Sequence, residues 1–393
     1  MGPGHFLRKG RKRFYRTIFA AIVMDRDAMI NYCRMQENIW ELGGYDTFEI
    51  SPPKNNNVPT KFQKLIGEYE LEPDFLCRIS DARVWGQHGL PMTATGQIIK
   101  EPFGPMWDNI LIQSLQQDGL LNFLRFIYKP NIDNSDKIRK PTFYLIPRTN
   151  RGSSNPNFAH WVIENLPQLR MLQYLEQTRS VKVQVLIGSN PPDFVLETLH
   201  ILGYESEDLI YWNEKKMCFD ELLIPKLHYI HNWGREPNPK GLEWLREEFK
   251  RNTVTTHSQD SPRIYVSRQQ DRGRKIVNYS MFVKLFEKHQ IESLIPYEYS
   301  ESDLISKYGQ ARVLCGVHGA GLANMIHMEQ GKVIEILPNN FTPVCYFVIA
   351  SELNLDYTFL RGQPLRKNKY PNPKEDNLEV DVNRFERVLK NCK

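Results

Sequence analysis

Between residues 263 and 353 the sequence alternates four times between a short apolar run and a stretch with helical periodicity. The predicted strand and helix pairs are 263–267 with 281–288, 291–295 with 302–310, 313–317 with 322–328, and 333–337 with 344–353. Alternation of this kind is typical of a parallel sheet with helices on both faces, because a crossover between parallel strands usually contains a helix. The sequence therefore predicts an α/β fold, with ligands bound beyond the carboxyl ends of these strands.

The part of the chain before this region shows a weaker pattern of the same kind. Pro167 predicts a kink or restart within a helix at 158–177. The segment 232–240 is rich in Pro and Asn and is the candidate linker. The remaining predicted elements are strands at 143–146, 183–187, 209–212 and 222–224, helices at 194–202 and 380–389, helical patterning around 17–40, and a loop at 364–375.

Composition excludes several classes of protein. The chain has 393 residues, of which 41% are hydrophobic and 25% charged, as in an ordinary globular protein with one large domain or two domains. A formal net charge of +5 is too small over this length to indicate a nucleic-acid partner. The six cysteines include no C-x-x-C pair, so a disulfide scaffold, a zinc ribbon and a thioredoxin-like site are unsupported.

The basic charge is concentrated near the start of the chain. Six Lys and Arg side chains lie between Arg8 and Arg16, and the apolar run 18–24 follows them. This run is much shorter than the roughly 20 residues that a membrane-spanning helix needs. A solvated arm, a cleaved signal peptide, an RNA contact and a patch for an anionic membrane surface all stay open for this segment.

The clearest candidate site follows the predicted strand at 313–317. His318 and a turn with Gly319 and Gly321 come directly before a predicted helix. Glycines let backbone N–H groups approach a ligand closely, and a helix N-terminus carries partial positive charge, so the pattern predicts a phosphate site. Neither G-x-G-x-x-G nor P-loop spacing is present. The alternative is a tight turn with a structural histidine.

A second candidate site follows the predicted strand at 263–267. The loop beyond it carries four cations, which are Arg268, Arg272, Arg274 and Lys275. Arginine binds phosphate oxygens bidentately, so this loop and the glycine turn together would suit a nucleoside diphosphate. Taken alone, the loop could equally be a solvated basic segment.

The pair His160 and Glu164, and the single residue Glu335, are further candidates for a functional role. His160 and Glu164 are four residues apart, so a helix would place them on one face as a general base with its carboxylate, or as an ordinary ion pair. Glu335 is a charged residue in an apolar strand. A buried carboxylate needs a partner, and in a nucleotide site that partner could be a ribose hydroxyl; at a sheet edge Glu335 would instead face water.

These pieces resemble glycosyltransferase family 61, formerly the DUF563 group, over about residues 140–340. One departure is Tyr279, where the family usually has an acidic residue. The matching segments are Tyr265-Val266-Ser267-Arg268, Arg274-Lys275-Ile276-Val277-Asn278, His318-Gly319-Ala320-Gly321-Leu322 with Asn324, the strand around Glu335, and Ala159-His160-Trp161-Val162-Ile163-Glu164-Asn165-Leu166-Pro167.

The resemblance implies a GT-B fold, in which two Rossmann-like lobes face a central cleft. It would divide the chain into a basic arm and first helix at 1–40, an N-terminal acceptor-side lobe at 41–235, a C-terminal nucleotide-sugar-binding lobe at 236–365, and a loop and C-terminal helix at 366–393. In GT-B folds the last helix often returns to the N-terminal lobe.

The resemblance also implies an inverting glycosyltransferase that uses a nucleoside-diphosphate sugar, with UDP as the expected nucleotide. The acceptor would be a glycan or glycolipid hydroxyl in surface polysaccharide, lipopolysaccharide or glycoprotein-glycan synthesis. No metal is required, although Mn²⁺ or Mg²⁺ could assist, and no nucleic-acid partner is expected. A nucleotide-sugar epimerase and a non-catalytic, membrane-associated nucleotide-sugar-binding scaffold are the alternatives.

The expected location is cytoplasmic, with peripheral contact at the inner face of the membrane through Arg8–Arg16, because the sequence shows no convincing anchor of the kind that eukaryotic family members carry. The catalytic candidates are His160, Glu164 and His318, and no metal ligand is predicted. The donor-binding candidates are Ser267, Arg268, Arg274, Lys275, Asn278, His318, Gly319, Ala320, Gly321, Asn324 and Glu335.

Overall fold

The computed structural model describes residues 22–55, 57–128, 137–147, 156–231, 234–253, 262–365 and 376–390. Its strands, numbered β1 to β19 in chain order, are Val23–Met24, Ile39–Leu42, Asp46–Ile50, Gly67–Leu71, Asp74–Trp85, Leu90–Met92, Ile98–Ile99, Thr142–Tyr144, Gln184–Ile187, Leu209–Tyr211, Lys216–Pro225, Ile230–His231, Gly234–Arg235, Arg263–Val266, Ile291–Leu294, Val313–Val317, Lys332–Pro338, Asp356–Pro364 and Leu378–Glu379.

Helices lie between the strands. The α-helices within the described ranges, numbered α1 to α12, are Arg26–Arg34, Thr60–Gln63, Trp107–Asp118, Leu120–Tyr128, Phe158–His160, Leu169–Arg179, Asp193–Ile201, Pro239–Asn252, Tyr279–His289, Glu301–Gly309, Cys345–Glu352 and Val382–Lys390. Shorter 3₁₀ helices are Glu101–Met106, Leu166–Gln168, Ser206–Asp208, Pro296–Glu298 and Ala320–His327, and Trp161–Asn165 forms a π-helix.

The described residues form two compact units. Unit 1 contains the described residues up to Tyr45, together with Glu72–Leu196 and Gly203–Tyr229. Unit 2 contains Asp46–Leu71, Glu197–Leu202 and the described residues from Ile230 onward. Each unit is therefore discontinuous in sequence. The division implied by the resemblance instead made each lobe continuous, with the boundary between the two lobes at residues 235 and 236.

Unit 1 is built on a mixed sheet with the strand order β1-β7-β6-β5-β11-β8-β9-β10, and β2 also pairs with β5. The sheet is parallel from β11 through β8 and β9 to β10. The long strand β5 is antiparallel to each of its partners, β11, β6 and β2. Met29 and Cys33 of α1 belong to its hydrophobic core together with Ile79 of β5. The resemblance implied a Rossmann-like lobe here, and the observed sheet is parallel only in part.

Unit 2 contains a sheet with the strand order β15-β14-β16-β17-β18-β19. All pairs from β15 to β18 are parallel, and β19 is antiparallel to β18. The α/β class and the parallel sheet predicted from the alternating pattern are therefore confirmed. The strand predicted at 313–317 coincides with β16, Val313–Val317.

Helical segments cover both faces of the unit 2 sheet. Cys315 and Ile334 belong to a core cluster with Phe282 and Phe286 of α9. Side chains alternate across a strand, so Gly316 faces the opposite side. A Cβ atom added there would lie 3.4 Å from Leu322 of the 3₁₀ helix Ala320–His327. The sequence predicted an ordinary helix at 322–328, but the segment winds as a 3₁₀ helix that begins at Ala320.

The segment 46–71 contributes to unit 2, which the sequence did not predict. The Asn55 side chain bonds both backbone groups of Phe359: its Nδ2 donates to the carbonyl oxygen, and its Oδ1 accepts from the amide, each at 3.0 Å. The ring of Phe62 stacks on Phe347 of α11 at 4.8 Å between centroids. The Asn55 side chain thereby bonds Phe359 as the backbone of a neighbouring strand would. No local sequence pattern predicts such a contact.

The C-terminal helix α12 packs within unit 2. Phe385 and Leu389 are fully buried in the same core cluster as β16, and the Phe385 ring centroid lies 5.1 Å from that of Phe282. The return of this helix to the N-terminal lobe, which the resemblance implied, stays a prediction. None of the helices in the described ranges is long and apolar enough to cross a bilayer. The basic segment Arg8–Arg16 lies outside the described residues.

We expect Phe385→Ala to lower the free energy of unfolding by about 3–5 kcal/mol, because it removes a fully buried ring from the core of unit 2. The exposed Arg387 on the same helix provides a matched control, and Arg387→Ala should change stability by less than about 0.5 kcal/mol. Urea denaturation followed by circular dichroism measures both variants. Equal stabilities for the two would contradict the placement of α12 in this core.

Candidate functional site

The two loops predicted to bind phosphate lie side by side at the carboxyl edge of the unit 2 sheet. One loop follows β14 and the other follows β16, and these strands are direct parallel neighbours. From β14 the chain continues to β15 on one side and then returns to β16 on the other side. This reversal of strand order opens a crevice at the carboxyl ends, the usual ligand position in open α/β sheets.

Arg268 lies against Gly319. A Cβ atom added at Gly319 would lie 1.9 Å from Nη1 of Arg268. The φ angle of Gly319 is 176°, which is extended backbone, so glycine is needed here for space and not for conformation. The other end of the guanidinium pairs with Asp271, with 2.9 Å between Nη2 and Oδ2.

Arg274 contacts the same turn. Its Nη1 donates a hydrogen bond to the carbonyl oxygen of His318 at 2.7 Å. The residue adopts a left-handed backbone with φ of 59°. The loop is held from the other side, because the backbone N–H of Lys275 donates to Oδ1 of Asn377 at 3.1 Å. Two guanidinium groups therefore converge on the backbone of residues 318 and 319.

In the glycine turn the carbonyl oxygen of Gly319 is hydrogen-bonded within the protein, whereas the N–H groups are open. The carbonyl oxygen of Gly319 accepts from the Tyr346 hydroxyl at 2.6 Å and from the Leu322 N–H at 3.1 Å. The N–H groups of Gly319, Ala320 and Gly321 have no hydrogen-bond acceptor within the described part of the chain. Open amides next to two arginines are an arrangement suited to an anion with several oxygens.

Asn324 supports this turn from inside the protein. Its side chain is fully buried, and Nδ2 donates to the carbonyl oxygen of Gly321 at 3.0 Å. Gly321 itself leaves no room for a side chain, since a Cβ atom there would lie 2.7 Å from Cγ1 of Val266. Asn324, a donor-binding candidate from the sequence, thus contacts the turn from the protein interior.

Ser267 and Asn278 make mainly structural contacts. Ser267 is buried, and its backbone N–H donates to Leu294 at 2.8 Å, which extends the pairing of β14 with β15. The Asn278 side chain donates through Nδ2 to the Val380 carbonyl at 2.8 Å and accepts through Oδ1 from the Val380 N–H at 3.3 Å. Asn278 therefore anchors the C-terminal segment.

Glu335 is buried beneath the turn, with only 1% of its surface exposed. Its Oε1 lies 2.5 Å from Nδ1 of His318, and its Oε2 accepts a hydrogen bond from the Tyr357 hydroxyl. Burial and the nearby Glu335 carboxylate raise the pKa of Tyr357 well above its ordinary value. The sequence interpretation gave Glu335 to ribose or sugar hydroxyls, but both of its oxygens are occupied by protein donors.

The His160–Glu164 pair lies in unit 1. Nδ1 of His160 is 2.9 Å from Oε2 of Glu164, and the imidazole is 44% exposed while the carboxylate is fully buried. The single helix predicted at 158–177 is divided into α, π and 3₁₀ segments, with Pro167 in the 3₁₀ part. A buried carboxylate that holds an exposed imidazole is an arrangement suited to a general base.

Unit 1 also contains a charged cluster that the sequence did not reveal. Asp74 lies 2.6 Å from Nε2 of His228 through Oδ1 and 2.9 Å from Nη1 of Arg170 through Oδ2. Burial opposes its charge, but His228, Lys226 and Arg170 hold the pKa of Asp74 below its ordinary value. Asp74 and His228 are too far apart in sequence for any motif to connect them. No cluster of potential metal ligands occurs among the residues that the structure describes.

Comparison with known proteins indicates a class of enzyme for this chain. Residues 158–334 match the family model described as Glycosyltransferase 61. This match covers a little under half of the chain, and over this range the chain is similar to glycosyltransferase family 61. The chain is also 22% identical over 302 residues to the EGF domain-specific O-linked N-acetylglucosamine transferase of Xenopus laevis, a match that covers 69% of this chain and 56% of that protein. The chain thus spans little more than half the length of this curated relative.

The family 61 region includes the His160–Glu164 pair, the arginine loop and the glycine turn, whereas Glu335 and Tyr357 follow it in sequence. Sequence reasoning missed Tyr357. The available signal was the alternation along β18, which places Tyr357 on the same sheet face as Glu335.

We expect Gly319→Ala to weaken the binding of UDP by about tenfold or more, because the added methyl group must displace the Arg268 guanidinium. Gly309→Ala is the matched control: a Cβ atom there meets only the carbonyl oxygen of His327 at 3.6 Å, an ordinary contact. Isothermal titration calorimetry measures both affinities. Equal UDP affinity in the two variants would show that the Arg268–Gly319 contact does not shape a diphosphate site.

Proposed function

We propose that the protein is a glycosyltransferase whose donor, a nucleoside-diphosphate sugar, binds with its diphosphate at the carboxyl edge of the unit 2 sheet. The observation that carries this proposal is the convergence of Arg268 and Arg274 on a turn with three open N–H groups. The family 61 match and the transferase name of the Xenopus laevis relative support the same class of reaction.

The geometry suits the leaving group of a glycosyl transfer. In the proposed reaction an acceptor hydroxyl oxygen forms a bond to the anomeric carbon, and the bond from that carbon to the diphosphate oxygen breaks. The diphosphate takes the electron pair, and the hydroxyl proton goes to a base. Preorganised guanidinium and N–H donors stabilise the negative charge that develops on the departing diphosphate, so the reaction does not need a metal for this step.

We extend the proposal to an inverting transfer, a GT-B architecture and a UDP-linked donor, in line with the resemblance to family 61. Inversion corresponds to a single in-line displacement, which needs a base for the acceptor hydroxyl. We assign that role to His160, because Glu164 orients its ring while much of the imidazole stays exposed. The acceptor is proposed to be a hydroxyl on a glycan or glycoprotein, since the relative is described as acting on EGF domains.

A thermal-shift screen with UDP-, GDP- and CMP-sugars should identify the donor, because a ligand that binds the folded state stabilises it by RT ln(1 + [L]/Kd). Arg268→Ala should remove most of the shift produced by the best donor. The exposed Arg312 immediately precedes β16 and so lies at the opposite edge of the sheet, which makes Arg312→Ala the matched control. An identical shift in both variants would contradict the proposed diphosphate site.

We expect His160→Ala to lower kcat by about 10²–10⁴-fold while donor affinity stays unchanged, because the variant loses a general base and no diphosphate contact. His200→Ala, which removes another exposed histidine, serves as the control and should keep wild-type turnover. Initial rates with donor and acceptor measure kcat, and UDP titration measures affinity. Unchanged kcat in His160→Ala would exclude it as the base, and conversion of the donor without any acceptor would favour an epimerase.

A further inference from the structure

Three side chains form a hydrogen-bonded line that ends at the glycine turn. The line begins at Tyr357 on β18, passes through Glu335 on β17, and reaches His318 directly after β16. Tyr357 is 4% exposed and Glu335 is 1% exposed, so the line runs through the protein interior. Its outer member, His318, has a side chain that is 12% exposed.

The chemistry of the carboxylate determines which nitrogen of His318 carries hydrogen. A carboxylate only accepts hydrogen bonds, so the carboxylate form of Glu335 requires Nδ1 of His318 as the donor toward Oε1. The Tyr357 hydroxyl occupies the other oxygen, so Glu335 cannot turn toward a different donor without losing a buried hydrogen bond. A neutral imidazole that donates from Nδ1 in this contact has Nε2 as its remaining ring nitrogen for another partner.

Contacts with neighbouring side chains restrict the orientation of the His318 ring. The His318 ring packs against Tyr346 and Phe341, with centroid separations of 5.3 Å and 5.6 Å. Its backbone carbonyl is held by Arg274 and its own N–H by Ile336. The Arg361 guanidinium lies within electrostatic reach of Glu335 and helps to compensate its buried charge. Backbone and side chain of His318 are therefore both constrained at the edge of the proposed diphosphate site.

We propose that Tyr357 and Glu335 are positioning residues that hold His318 as its Nδ1–H tautomer, with Nε2 as the ring atom that meets the donor. This inference rests on the proposed function for the identity of the donor, but the tautomer and its two supports can be measured without any donor. Tyr357 acts only through Glu335, and Glu335 acts only through His318. This hydrogen-bonded line thus extends the site from the glycine turn after β16 to β18, two strands away in the sheet.

The first test is spectroscopic and uses the full chain without ligand. Two-bond ¹⁵N–¹H correlation spectra of protein labelled with ¹⁵N-histidine distinguish the two neutral tautomers, and the spectrum of His318→Gln assigns the His318 signals. The wild type should show His318 protonated at Nδ1, and Glu335→Ala should lose that preference. A wild-type His318 protonated at Nε2, or an unchanged pattern in Glu335→Ala, would overturn the proposal.

Tyr357→Phe is the gentler variant, and it keeps the proposal testable if Glu335→Ala does not fold. It retains the ring that packs against Phe62 and Phe347 and removes only the hydroxyl. Tyr308→Phe is the matched control, since it also removes a single hydroxyl from a fully buried tyrosine of unit 2. The His318 ring signals should shift in Tyr357→Phe and stay unchanged in Tyr308→Phe; equal signals in both would overturn the proposal.

Kinetics then separate this inference from the function on which it rests. Tyr357→Phe should lower kcat/KM by about tenfold or more, because a small misplacement of a group at the reacting centre is costly, while Tyr308→Phe should match the wild type. If the wild type transfers sugar and Tyr357→Phe is equally active, the proposed positioning of His318 by Tyr357 and Glu335 is wrong and the proposed function stands. If the wild type transfers no sugar but shows the expected tautomer and its loss in Glu335→Ala, the proposed function fails and the positioning of His318 stands.

Discussion

The approach of the Arg268 guanidinium to Gly319 is the contact on which the candidate site depends. The guanidinium can occupy its position only because residue 319 has no side chain. Arg274 then adds a second cation through the carbonyl oxygen of His318. Cations held against a turn with open N–H groups cost little reorganisation when an anion arrives, which is the property that electrostatic catalysis requires.

The buried charge of Glu335 explains why the turn is so strongly supported. An isolated carboxylate in the interior of a sheet would be costly, so it must have hydrogen-bond donors or a counter-charge. His318 and Tyr357 supply two donors, and Arg361 supplies nearby positive charge. The same contacts that compensate the charge also hold the imidazole, so the stability of this strand and the geometry of the turn are linked.

Much of unit 2 could be predicted because its strands are buried and follow one another at regular intervals. The strand at 313–317 was predicted at its observed bounds, and Arg268, Arg274 and Gly319 were correctly expected at one sheet edge. The described residues before 140 resisted prediction because they mix mostly short strands with α-helices and a 3₁₀ helix in no regular alternation. The contact of Asn55 could not be predicted for a further reason, because its partner Phe359 lies far away in the chain.

The sequence alone determined the α/β class, the positions of the loops after β14 and β16, and the likeness of residues 158–334 to glycosyltransferase family 61, because these depend on local periodicity and on short motifs. Only the tertiary structure decided which groups Glu335 contacts. From sequence it was a charge in an apolar strand, open to ribose or to water, and in the fold it is a buried support for His318. The physical reason is that hydrogen-bond partners from three different strands meet only when the sheet has formed.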